Sequence, residues 1–547
     1  MGAAFKTRSA LRAPRIKYQL MTRFRAPFTA LLILVGAFAV YSPALDGGFL
    51  WDDDDYVSEN ETLRSAAGLG RIWSEIGAVP QYYPMVHTGY WLEYRLWGLS
   101  TRGYHLSNVF LHGLCAILLA LLLSRLGAPW PWLAAALFAF HPVHVESAAW
   151  ITERKNVLSG AFYLASALAY LRFQEGPGGG RPAGEGRFYA LSLGLFLCAL
   201  LSKTVTATLP AALALALWCK RGRISRRDIL ALLPFLASAL PFCMLTSRME
   251  RLHVGASGAG WSLGALERLL IAGRASWFYL GKLAWPVDLA FIYPRWEIDP
   301  GIAGQYLFPA AFLALLALVW MARGRLGRGP AAALLFFSGT ILPALGFFDF
   351  YPMRFSFVAD HFQYLASIGP LALAASALAL GAARRPRLAR VLACVLVVGL
   401  AAASWRRAGV FSDLEILWRD TLAKDPSCWM AHDNLANLLA KNGRTEEAVR
   451  HYEEALRIKP DYPEALNNLG ALMFRQGRLA EAEGRLREAA RLSPGHAKVH
   501  NNLGAVLFRR GDVRGAVSCF KRAIRLSPAL RDAQANLEAA LRVLPPS

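Results

Sequence analysis

The amino-acid sequence predicts an all-α fold in two parts, a polytopic membrane helical bundle followed by an α-solenoid of short helical repeats. Three observations carry this expectation. The chain has 547 residues, 55% of them hydrophobic, with 16 Trp and 30 Phe, and its mean hydropathy is +0.31. The apolar residues come in long runs separated by short Arg-rich links, the pattern of helices that cross a bilayer repeatedly. From about Ser427 those runs stop and a 34-residue period begins.

The net charge of +22 would suggest nucleic acid in a soluble protein. Here the arginines gather in links between apolar runs, where they set topology. No basic stripe interleaved with aromatics stands out, so no nucleic-acid partner is expected. The seven cysteines, Cys115, Cys198, Cys219, Cys243, Cys394, Cys428 and Cys519, are scattered without C-x-x-C pairs. They give neither a disulfide framework nor a zinc site.

Residues 1–25 carry Lys6, Arg8, Arg12, Arg15, Lys17, Arg23 and Arg25. This basic flank is expected in the cytoplasm, ahead of an uncleaved first span at about Ala26 to Pro43. The first outer loop, 46–103, then opens with Asp52-Asp53-Asp54-Asp55. Within it, Leu63, Leu69, Ile72, Trp73 and Ile76 share one helical face, which predicts a helix lying along the membrane surface.

Further spans are expected at 105–123, about 131–140, 157–171, 188–201, 205–218 and 230–245, with a Gly/Pro-rich link at 176–186. The stretch 266–285 is apolar but carries Glu267, Arg268, Arg274 and Lys282, so it reads as interfacial or re-entrant. Spans at 306–322, 331–347, 365–382 and 391–405 bring the total to about eleven, within a membrane domain 26–405. This parity leaves the C-terminus outside, with only Arg406-Arg407 on the unfavoured side, in an integral inner or plasma membrane protein.

A linker, 406–426, leads to the repeats. Pro426, Pro460, Pro494 and Pro528 recur at 34 residues, as do Asn434, Asn468 and Asn502. So do Gly443, Gly477 and Gly511, Ala448, Ala482 and Ala516, and Ala455, Ala489 and Ala523. Small residues where helices cross, Gly at the turn and Pro at the end define the tetratricopeptide repeat. Three repeats occupy 427–460, 461–494 and 495–528, with a capping helix and tail at 529–547. Such a solenoid offers a surface for a protein partner without naming it.

The loops assigned outside hold nearly all the unusual polar groups: Asp52 to Asp55, His141, His144, Glu146, Arg154, Lys155, Lys203, Arg354, Asp360 and His361 among them. Ionisable groups beside apolar helices are costly and tend to be functional. Gathered on one membrane face, they suit transfer of a phosphate-linked group. A carboxylate would take the proton of an acceptor hydroxyl, and cations would hold the departing phosphate. Bland readings stand beside each. The aspartates could be a solvated loop. His141, His144 and Glu146 could ligate a divalent metal, contact phosphate, or be structural. Arg154-Lys155 could snorkel at the interface, and Asp360-His361 could tie two helices. Lys203, flanked by apolar spans, calls for an anionic partner.

The aspartate motif, Tyr104-His105-Leu106-Ser107-Asn108, His141-Pro142-Val143-His144-Val145-Glu146 and Lys203, in that order and closed by the repeats, resemble the transmembrane O-mannosyltransferases that carry tetratricopeptide repeats, and most closely their prokaryotic relatives. The resemblance runs from about Phe49 to Val543. It implies a C-type glycosyltransferase with a polyprenyl-phosphate sugar donor, inversion at the anomeric carbon, and an essential Asp in the first outer loop. The family's Phe-x-aromatic-Asp-Asp pattern falls on Phe49, Trp51, Asp52 and Asp53, which makes Asp53 and then Asp52 the expected base. The function expected is transfer of a sugar, mannose by resemblance, to a protein hydroxyl on the extracytoplasmic face, with the repeats recruiting the acceptor. Two rivals are a membrane-anchored scaffold for envelope assembly and a transporter of lipid-linked sugar. The latter lacks the internal repeat in the membrane part that such transporters carry.

Overall fold

The computed structural model describes residues 12–174, 185–254 and 262–543. The expected Gly/Pro-rich link lies almost wholly outside them, as do the first basic residues and the last four of the tail. The chain forms two compact units, Met1–Leu414 and Glu415–Ser547, whose boundary falls inside the expected linker.

The described residues of the first unit are mostly helical, with 3-10 turns and irregular stretches such as 285–302 between the helices. It opens with α1 (Arg12–Val40), α2 (Ala66–Ser74), α3 (Pro84–Trp97), α4 (Thr101–Leu126), α5 (Pro131–Ala139) and α6 (Val145–Ala149). It continues with α7 (Arg154–Gln174), α8 (Glu185–Leu200), α9 (Leu209–Arg221), α10 (Arg226–Met249) and α11 (Ala265–Ala284). It closes with α12 (Leu307–Met321), α13 (Arg323–Leu326), α14 (Gly329–Ile341), α15 (Ile368–Ala382) and α16 (Pro386–Ala408).

Among the described residues, four helices are long and apolar enough to cross a membrane: Thr101–Leu126, Arg226–Leu252, Ala303–Met321 and Pro386–Ser412. Four shorter apolar helices, Ala26–Val40, Gly186–Leu200, Gly329–Ala344 and Ile368–Ala382, accompany them. The expected total of about eleven spans is not reached by length and hydropathy. Hydrophobic runs continue through breaks in the helix. The run at 131–140 holds only the nine-residue α5, because Pro142 follows and the chain turns into a 3-10 segment at Pro142–His144. The surface helix expected over 62–76 is also split. Asn60 caps a 3-10 turn at Glu61–Arg64, and Ser65 starts α2 by accepting from the Gly68 amide at 3.0 Å. Leu63 and Ile72 are buried, while Trp73 and Ile76 stay exposed.

The second unit follows the period of its sequence. After α17 (Leu414–Lys424), each repeat is a helix pair: α18 (Trp429–Lys441) with α19 (Thr445–Ile458), α20 (Pro463–Arg475) with α21 (Leu479–Leu492), and α22 (Ala497–Arg509) with α23 (Val513–Leu526). The expected capping helix is α24 (Arg531–Val543). Gly443, Gly477 and Gly511 turn each pair with φ of 77°, 78° and 88°, a left-handed conformation that a Cβ disfavours. Ala448, Ala482 and Ala516 are fully buried, as are Ala455, Ala489 and Ala523. Small residues are needed there because the helices of a pair approach closely.

Candidate active site

The aspartate run lies just beyond α1, past a 3-10 turn at Ser42–Ala44. Trp51 takes φ of +45°, a left-handed conformation uncommon for a bulky residue. The strain re-aims the next two side chains inward. Asp53 is fully buried. Its Oδ2 accepts from the Leu50 amide at 2.8 Å, and its Oδ1 from the Thr152 amide at 2.8 Å and the Thr152 hydroxyl at 2.5 Å. Asp52 is half-buried, and its Oδ1 is enclosed without a hydrogen-bond partner. Asp54 and Asp55 are exposed, Asp54 accepting from the Ser58 hydroxyl at 2.6 Å. The four charges thus divide into two inside and two in water.

Burial pushes the Asp53 carboxyl up to about 8, the Asp52 charge adding to the effect and the Thr152 and Leu50 donors opposing it. Burial also lifts Asp52 to about 7, against the pull of the Lys155 ammonium. Two adjacent carboxylates in one enclosed space titrate as a pair.

Opposite them, the segment between α6 and α7 supplies Glu153, a carboxylate that sequence reasoning missed as a site residue. Its side chain is 1% exposed and is met by Lys155 Nζ at 3.0 Å, Lys203 Nζ at 3.5 Å and His361 Nε2 at 3.9 Å. Asn156 donates to it as well and accepts from Lys203 Nζ at 2.7 Å. Burial works against the charge on Glu153, yet His361, Lys155 and Lys203 hold its carboxyl below the usual carboxylate range. Burial likewise opposes the Lys155 charge, but Glu153 and Asp52 keep it above the ordinary lysine value. For Lys203 burial wins and brings the ammonium down to about 8. Two lysines therefore share one dedicated carboxylate, with the aspartate pair on the other side of Lys155.

A second tier backs this one. Glu146 accepts from the His361 amide at 3.2 Å and faces His361 Nδ1 at 2.9 Å, which fixes the imidazole towards Glu153. Asp360 is buried and accepts from the Tyr293 hydroxyl at 2.9 Å; burial and the Glu146 charge lift it to about 7. Aromatic rings wall the space. Trp51 stacks on Trp150 at 5.8 Å and meets Phe291 edge-on at 5.6 Å. Lys155 Nζ lies 5.4 Å from the centre of the Tyr56 ring and 5.8 Å from that of Trp150, within range of cation–π attraction.

Of the residues expected from sequence, Asp52, Asp53, Glu146, Lys155, Lys203, Asp360 and His361 meet in this network. His141, His144 and Arg154 have other work. His141 Nε2 donates to the Leu283 carbonyl at 3.0 Å, leaving Nδ1 to accept from the Val143 amide at 3.4 Å. His144 Nδ1 donates to the Phe138 carbonyl at 2.7 Å, and Nε2 faces the Ser367 hydroxyl at 2.9 Å. Burial brings His141 down to about 4, so it is neutral at pH 7. Buried Arg154 pairs with Glu93 at 2.8 Å, donates to the Tyr104 carbonyl at 2.9 Å and to Asn108, and so ties α3 and α4 to α7. The structure thus gives each of the three residues protein partners of its own, and none of them is brought into the network around Glu153. Arg354 lies beside Tyr351, its Nη1 3.5 Å from the Tyr351 hydroxyl and its guanidinium 6.0 Å from the centre of the Phe355 ring. Among the described residues, no three His, Cys, Asp or Glu side chains are grouped to hold a metal ion.

Comparison with known proteins follows the two units. Family models described as "TPR repeat" and "Tetratricopeptide repeat" match residues 436–477 and 461–529. A protein O-mannosyl-transferase of Caenorhabditis elegans is 26% identical over 453 residues, which are 79% of this chain and 63% of the relative. Human protein O-mannosyl-transferase TMTC1 is 27% identical over 501 residues, 81% of this chain and 56% of the relative. The chain spans about three-fifths of the length of these curated relatives.

Proposed function

For a chain that is a relative of the protein O-mannosyl-transferases with tetratricopeptide repeats, we propose that the first unit is an integral membrane glycosyltransferase. It moves a sugar, mannose by relation, from a polyprenyl-phosphate donor to a protein hydroxyl on the extracytoplasmic face. Asp52 takes the proton of the acceptor hydroxyl as its oxygen attacks the anomeric carbon. The bond from that carbon to the phosphate oxygen breaks, the configuration inverts, and polyprenyl phosphate leaves with the electron pair. Lys155 and Lys203 hold the charge that grows on the leaving phosphate. The N-terminus lies in the cytoplasm, about eleven segments cross or enter the bilayer, and the repeats outside recruit the acceptor. The donor's tail stays among the helices while its sugar and phosphate enter the loop site.

One observation carries this reading: Asp52 Oδ1 is enclosed without a donor, beside two lysines that share a single dedicated carboxylate. Asp52 comes ahead of Asp53 in this reading, the opposite order to that expected from sequence. Both oxygens of Asp53 accept hydrogen bonds from Leu50 and Thr152, so in this reading it positions the loop and Asp52 serves as the base. The test is transfer by purified protein from labelled polyprenyl-phosphate mannose to a protein acceptor. Asp52→Asn costs about 10²–10⁴ in kcat, the range for general-base loss. A non-enzymatic scaffold predicts no transfer from any donor and tolerance of Asp52→Asn in the cell.

A further inference from the structure

Far from the aspartates, the first unit holds two cavities that no part of the mechanism uses. The larger, about 530 Å³, is apolar, with Leu123, Leu171, Leu213, Phe336, Leu373 and Leu380 in its wall. The second, about 420 Å³, lies between the end of α15 and the start of α16, bounded by Leu378, Gly381, Leu388 and Leu392 together with Arg384 and Arg385. Both volumes are in the range of ligand pockets. The two cavities share one residue of α15, Ala377, and so adjoin along that helix. Helix α4 shows how remote they are from the site. Asn108, near its start, bonds the Arg154 segment, while Leu123 near its end lines the larger cavity, about 22 Å further along at 1.5 Å per residue.

Arg384 and Arg385 are exposed, and neither guanidinium is engaged in an ion pair or hydrogen bond among the described residues. Two adjacent unneutralised guanidiniums at the mouth of an apolar groove match an anionic headgroup with hydrocarbon attached. We infer that an anionic diacyl phospholipid sits against α15, its phosphate on Arg384 and Arg385 and one chain in each of the adjoining cavities. Charge complementarity selects the anionic headgroup, and the paired cavities select two chains. The site lies at the opposite end of the unit from the proposed donor phosphate, so it is a separate lipid site and does not rest on the enzymatic reading.

The test uses the full chain in mild detergent, exposed to mixed phosphatidylglycerol and phosphatidylcholine vesicles, with retained lipid counted by native mass spectrometry. The protein keeps a single phosphatidylglycerol and no phosphatidylcholine. The double change R384Q/R385Q lowers retention about tenfold or more, given the attraction of each basic group for anionic lipid. R384K/R385K, which keeps both charges, retains the lipid, and L373W, which fills the larger cavity, reduces it. Equal retention of both phospholipids overturns the inference, as does unchanged retention in R384Q/R385Q. Displacement of phosphatidylglycerol by polyprenyl phosphate in equal amount also overturns it, because the site would then belong to the donor.

Discussion

Asp52 and Asp53 are neighbours with the same side chain, and the proposed function gives them different roles because their hydrogen bonding differs. Asp53 accepts from three donors, whereas Asp52 Oδ1 accepts from none and is the oxygen left to meet an acceptor hydroxyl. The pH profile of kcat/KM follows from the same groups. Asp52 must be ionised to act, and burial raises it to about 7, so activity falls as pH drops through that value. Lys203 must be charged to hold phosphate, and burial lowers it to about 8, so activity falls again above that value. The expected curve is a bell, and Lys203→Arg removes its alkaline limb because arginine keeps its charge. A profile flat from pH 6 to 9 contradicts both assignments. Glu153→Gln strips two buried lysines of their shared counter-charge. It should cost roughly 3–5 kcal/mol of stability, as breaking a buried pair does, read as a lowered unfolding temperature of the purified protein. The aspartate pair was legible in sequence because four charges next to an apolar run are expensive. The roles of His141, His144 and Arg154 were not. Their partners Leu283, Ser367, Glu93 and Asn108 are remote in sequence, and only the fold says that these polar groups are already satisfied.

At the scale of helices, legibility depended on the period. The 34-residue repeat states helix, turn and crossing in every copy, and the three pairs with their capping helix stand where the columns put them. Their close crossings are testable. Ala482 is fully buried, and a Cβ on neighbouring Gly470 would come within 2.7 Å of Leu486 Cγ and 3.3 Å of the Ala482 carbonyl oxygen. Ala482→Leu should therefore destabilise the second unit by about 1–3 kcal/mol, the cost of overpacking a filled core. Chemical denaturation followed by circular dichroism checks it, and an unchanged midpoint contradicts it. In the first unit the hydrophobic runs were visible but their breaks were not. Periodicity and hydropathy pass over such breaks: the expected span at 131–140 is a nine-residue helix followed by the 3-10 turn at Pro142–His144, and the expected surface helix is split at the Ser65 cap. Those breaks carry the site. Thr152 and Glu153 lie in a 3-10 turn between α6 and α7, and Asp360 and His361 in another at Asp360–Gln363, before α15.

For the whole molecule, the proposed function divides the labour between the two units, chemistry in the first and recognition in the second. Their boundary at 414/415 falls within the expected 406–426 linker, a position marked by the end of the last apolar run and the start of the repeat period. The account requires the repeats on the same side of the membrane as Asp52. Reporters fused after Pro528 and after Arg325 test this, the first active only outside and the second only inside. A cytoplasmic signal after Pro528 contradicts acceptor recruitment by the repeats.

The most direct measurement is sugar transfer from labelled polyprenyl-phosphate mannose to a protein acceptor by purified protein, with Asp52→Asn and Asp53→Asn assayed beside the native chain and each checked for folding. The account predicts transfer by the native chain. It predicts loss of about 10²–10⁴ in kcat for folded Asp52→Asn, and for Asp53→Asn a lowered unfolding temperature alongside any loss of rate. Full activity in folded Asp52→Asn, with activity abolished in an equally stable Asp53→Asn, contradicts it and returns the base to Asp53.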